Sequence, residues 1–125
     1  MKNALPVLIT VAALAGAPHA LAQSCEAMAE QVEATARAKV ERIEAAVAEE
    51  LGNISERTEA RWNDMQQKVQ AGEMDEQQAE QAFAELAQQA MAANAAVQEW
   101  AATQFETVRE DTEAEMTRAM ERCGP

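Results

Sequence analysis

The residues best suited to chemistry are two cysteines, Cys25 and Cys123, and three methionines close to them in sequence, Met28, Met116 and Met120. Two thiols can pair as a disulfide. Alternatively, two thiolates with thioethers make a soft donor set that suits copper(I) or zinc. An oxidising compartment favours the bond, and methionine commonly serves as filler in apolar cores. A Cys25–Cys123 disulfide is therefore the expectation. Copper or zinc binding by Cys25, Met28, Met116, Met120 and Cys123 is the alternative.

Other machinery for catalysis is sparse. His19 is the only histidine, tyrosine is absent, and serine occurs only at Ser24 and Ser55. With the cysteines paired, few groups are left for acid–base or nucleophilic work. The acidic run Glu110, Asp111, Glu113 and Glu115 lacks the glycine-bearing loop of an EF-hand calcium site. Carboxylates on helices this acidic form a solvated face. The sequence points away from an enzyme and implies no cofactor.

The elements that must bring the cysteines together begin after a secretory signal. Lys2 supplies a basic start, Leu5 to Ala17 an apolar run, and Ala20-Leu21-Ala22 a small-x-small cleavage site. The run is shorter than the about 20 residues of a membrane span, which disfavours an uncleaved anchor. Lipidation of Cys25 is disfavoured because Ala22, three positions upstream, is not the leucine of a lipoprotein signal. Residues 1–22 are read as a cleaved signal peptide and 23–125 as a periplasmic or secreted bacterial domain, with no membrane insertion after cleavage. Without Lys2 that domain keeps nine basic residues against 22 acidic ones, a formal charge of −13. Such acidity argues against nucleic acid and anionic membranes as partners.

Helix formers fill the rest. The spacing predicts two arms, about 25–70 and 76–123, with a turn at about 71–75 midway between the cysteines. Gly72 suits a helix end, and Asp75 with Gln78 forms a capping-box pattern, with Met74 and Ala79 placed for a hydrophobic staple. Apolar positions recur at intervals of 3, 4 and 4: Val40, Ile43, Val47; Leu51, Ile54, Thr58; Trp62, Met65, Val69. The second arm repeats the rhythm through Phe83, Leu86, Ala90; Asn94, Val97, Ala101; Phe105, Val108, Thr112; Met116, Ala119, Cys123. An eleven-residue period gives arms that are nearly straight or coil slightly right-handed. Each arm of about 45 residues would span roughly 67 Å at 1.5 Å per residue.

Both cysteines fall in phase with these stripes. The expected fold is therefore all-α, a long antiparallel helical hairpin, coiled-coil-like and clamped by a terminal disulfide. A register in which paired residue numbers sum to about 148 sets Met28 near Met120, Trp62 near Leu86 and Met65 near Phe83. The phase runs through Gly52 without a slip, so one bent or straight helix is expected there rather than two, despite a glycine cost of roughly 1 kcal/mol. Glu33 with Arg37 and Glu106 with Arg109 are spaced to pair on the exposed faces.

The functional expectation is a non-enzymatic exported protein acting by protein–protein contact, as a structural, adaptor or chaperone-like envelope component. The seam takes Val32 to Val69 and Phe83 to Met116, and Trp62 belongs to it. Met91 and Trp100 flank the stripe in an alanine-dense stretch and are the candidate partner-binding residues. Two long helices bury little surface, so self-association into a four-helix assembly is the expected form of homo-oligomer.

Overall fold

A computed structural model describes residues 17–123, with side chains from residue 24 onward. It holds two helices, α1 (Ala17–Gln70) and α2 (Glu76–Cys123), and no strand among the described residues. The two pack against each other as an antiparallel hairpin whose ends are joined by the Cys25–Cys123 bond. The chain between Pro18 and Pro125 contains no proline, and alanine, glutamate and glutamine are all strong helix formers. α1 starts at Ala17, ahead of the expected arm at Cys25, because Pro18 is tolerated in a first turn where its missing N–H has no partner to lose. Of the expected signal segment, residues 1–16 lie outside the described residues. Gly52 sits inside α1, which runs through it without interruption.

The reversal is built from backbone hydrogen bonds. Gly72 adopts a φ of 73°, and its N–H donates to Val69 O at 3.1 Å while Glu73 N–H reaches back to Lys68 O at 2.9 Å. That pair of bonds is the Schellman closure, which satisfies carbonyls that the helix end would otherwise leave open. Three residues later α2 opens with a reciprocal capping box. Gln78 N–H donates to Asp75 Oδ1 at 2.8 Å, and Asp75 N–H donates to Gln78 Oε1 at 3.1 Å. Met74 is half-buried just before the cap and Ala79 is buried four residues after it, the two positions of a hydrophobic staple.

The two glycines of the hairpin predict opposite responses to alanine. A Cβ at either position would meet nothing within 4 Å, so only backbone terms count. Gly52→Ala removes a flexible residue from a helix interior and is expected to raise stability by about 1 kcal/mol. Gly72→Ala forces an L side chain into the left-handed region and is expected to cost about 1–2 kcal/mol. Urea unfolding of the two variants checks the signs; equal signs would contradict this account.

By their contacts the described residues divide into two compact units, one of residues 41–105 and one of the described residues before 41 together with those after 105. The unit 41–105 holds most of the core: Ile43, Ile54, Ala79, Leu86, Val97 and Ala101 are buried, with Leu86 at 3% and Ile54 at 5% exposure. Ile43 and Ile54 stand one eleven-residue period apart, as do Leu86 and Val97. In the other unit Ala119 is the one described residue that is buried, while Val32, Val108 and Met116 are half-buried. No described side chain is fully buried, and no polar or charged one is buried. The polar stripe positions Thr58 and Thr112 are half-buried without leaving hydroxyls bare. Thr58 donates to Ile54 O at 2.7 Å and Thr112 to Val108 O at 2.6 Å.

The seam departs from expectation at its bulky and polar entries. Trp62, expected in the core opposite Leu86, is 42% exposed and lies against Phe83 instead, with ring centroids 4.2 Å apart. An indole is too large to be covered by a single facing helix, so it lies across the seam edge and shields it. Phe105 and Val69 are likewise exposed, and at Asn94 the amide turns to water while Ala93 takes the half-buried place.

Candidate functional site

In the unit that carries the cysteines, three sulfurs meet. Cys25 and Cys123 are bonded, with Cα atoms 5.4 Å apart across a sequence separation of 98. Met28, one turn after Cys25, brings its Sδ within 3.6 Å of Cys123 Sγ. Met120 does not join them. It is 68% exposed, because it lies one helical step of about 100° beyond the seam residue Ala119. Met28 lies against the disulfide, and Met116 is half-buried. While the bond is intact it occupies both thiolates that the copper or zinc alternative requires. Among the described residues no group of three or more histidine, cysteine, aspartate or glutamate side chains is placed to hold a metal ion.

The unit 41–105 carries an open groove along one side of its seam. Ile54 and Val97 form its floor, Ala46, Ala93 and Ala96 its walls, and Trp100, 45% exposed, its edge, around a space of about 480 Å³. The rim is polar: Arg57 pairs with Glu50 at 3.5 Å. One turn further on, Arg61 Nη1 donates to Gln89 Oε1 at 2.8 Å and so ties α1 to α2. Met91 is 66% exposed, and it is absent from the groove lining. Of the two candidate contact residues, the structure thus gives Trp100 a concave surface to border and leaves Met91 on its own.

Charged groups on the faces act locally. Arg109 hydrogen-bonds Glu106 and, at 2.9 Å, Glu113. The hydrogen bond from Arg109 and then its charge hold the Glu106 carboxyl below the usual range, and the same partners raise the Arg109 guanidinium. All three side chains are exposed, so the cluster is a surface staple on α2 rather than a reactive centre. Glu33 and Arg37, spaced to pair in the sequence, form no ion pair among the described residues; a solvated i,i+4 pair gains only about 0.3–0.5 kcal/mol, so the two side chains need not meet. The Arg61–Gln89 tie and the groove beside it were not read from the sequence. The register sum was the signal available, since 61 and 89 fall within two of the expected 148.

Fold and site together define a disulfide-closed antiparallel helical hairpin with an apolar groove edged by tryptophan. No helix among the described residues is long and apolar enough to cross a membrane. No family model, no curated protein and no solved structure matches this chain.

Proposed function

We propose that this chain is a non-enzymatic exported protein that works by protein–protein contact, as a structural, adaptor or chaperone-like component of a bacterial envelope. One observation carries the reading: Trp100 stands 45% exposed at the edge of an apolar groove that the hairpin leaves open. Tryptophan at such an edge offers a large contact area at little entropic cost, which is why it concentrates in binding hot spots. The disulfide fits export to an oxidising compartment, in keeping with removal of residues 1–22. The scarcity of histidine, tyrosine and serine supports contact over chemistry.

The test places a photo-crosslinking residue at position 100, and separately at the exposed Glu121 of α2, in cells that export the chain. Position 100 is expected to give a discrete cross-linked product and position 121 none. Equal labelling from both positions, or none from position 100, would remove the contact reading.

A further inference from the structure

The unit 41–105 has a second groove on the other side of its seam, whose one charged lining residue is Glu59. The Trp100 groove, which holds the Arg57–Glu50 pair, adjoins through Ile54, Arg57 and Ala93 a stretch lined by Arg61 and Gln89, and that stretch shares Ile54, Thr58 and Ala90 with the second groove. On one side stand Arg57 and Arg61, in the groove that continues to Trp100; on the other stand Leu51 and Glu59. The separation follows from helix geometry: at about 100° per residue, 57 and 61 fall to one side of the Ile54–Thr58 line, and 51 and 59 to the other. Arg61 makes no ion pair, only its bond to the neutral Gln89 amide, and Glu59 makes none among the described residues. In a chain with far more carboxylates than cations, an unpaired guanidinium on one face and an unpaired carboxylate on the opposite face are complementary.

Their levels along the helix match as well. Glu59 lies two residues from Arg57 and two from Arg61, about 3 Å along the axis from each. The Arg61–Gln89 tie sets Trp100 level with Glu50 and Leu51, and Trp100 and Glu50 do border the same groove. Sideways displacement of a second copy, without axial slip, then brings its Glu59 between Arg57 and Arg61 and its Leu51 toward Trp100.

We propose that a second copy of this chain is the occupant of the Trp100 groove, docking its Glu59 side against the Arg61 side of the first. This rests on the contact reading above and names its partner. The contact uses two different surfaces related by translation, so it does not close on itself, and association continues beyond a dimer.

Sedimentation velocity of the disulfide-closed protein, from about 10 μM to about 1 mM, reads the result. The expected outcome is a stepwise rise in size with concentration. Arg61→Glu and Glu59→Arg each set like charges against each other and are expected to weaken association at least about tenfold. The double variant restores one opposite pair while Arg57 still faces the new cation, and is expected to recover part of the association that the single reversals lose. Circular dichroism and intact mass confirm that each variant is helical and bonded. A monomer at every concentration, a species that stops at the dimer, indifference to the single reversals, or no recovery in the double variant would each overturn the proposal. A chain that stays monomeric yet cross-links from position 100 to a different protein overturns the stacking and leaves the contact reading standing.

Discussion

Serine at both Cys25 and Cys123 is expected to lower stability by about 3.7–4.7 kcal/mol, with the loss concentrated in one part of the chain. The range follows from chain entropy. A bond across 98 residues removes about 4.7 kcal/mol of freedom from a fully unfolded chain, and a loop of about 34 residues, the combined length of 25–40 and 106–123, removes about 3.7. The lower end applies if residues 41–105 hold their structure while the other unit opens, because the segments to be closed are then shorter. That order of events is what burial predicts. Residues 41–105 contain six of the seven buried apolar residues among those described, whereas the described residues of the unit bearing the cysteines include Ala119 alone. Local opening starts where few apolar contacts oppose it. Hydrogen exchange should show protection lost at 25–40 and 106–122 in the serine variant, with Ile43 to Ala101 retaining theirs. A loss spread evenly over both helices, or one below about 1 kcal/mol, would show that packing rather than the bond holds that end.

The parts of the fold that were legible in advance are those fixed by a repeating physical rule. Ile43 and Ile54, and Leu86 and Val97, are buried at eleven-residue intervals because a helix returns to nearly the same azimuth after three turns. The reversal was legible because Gly72, Asp75 and Gln78 have few alternative uses in that order. What was not legible depends on side-chain size and direction rather than period. Trp62 obeys the period yet lies across the edge, and Met120 sits next to a buried alanine yet points to water. Nor did the stripe reveal the groove at Trp100, since a groove is the space between two helices and belongs to neither one's pattern. The docking residues had a weaker signal still: Arg61 is one arginine among several, and its significance comes from meeting Gln89 instead of a carboxylate.

Truncation at the centre of that unit is the second large effect. Ile54→Ala and Leu86→Ala are each expected to cost about 2–3 kcal/mol, near the low end of the range for aliphatic deletions. The low end applies because no described side chain is fully buried, so the space left behind opens partly to water, which can enter it, rather than remaining a sealed void. Met91→Ala and Met120→Ala, by contrast, remove side chains that are 66% and 68% exposed and should change stability by no more than about 0.5 kcal/mol. Ile54 and Leu86 line the same groove, so the double truncation should depart from additivity by at least about 0.5 kcal/mol. Thermal or urea unfolding of the five variants decides it. Equal costs for the exposed methionines and the buried pair would mean that the hairpin's stability comes from helix propensity and the disulfide, with the seam contributing little. A cost confined to Ile54 and Leu86 would mean that the seam sets the spacing of α1 and α2. That spacing is the physical condition for the Trp100 groove to exist, because its floor is Ile54 and Val97, one residue from each helix.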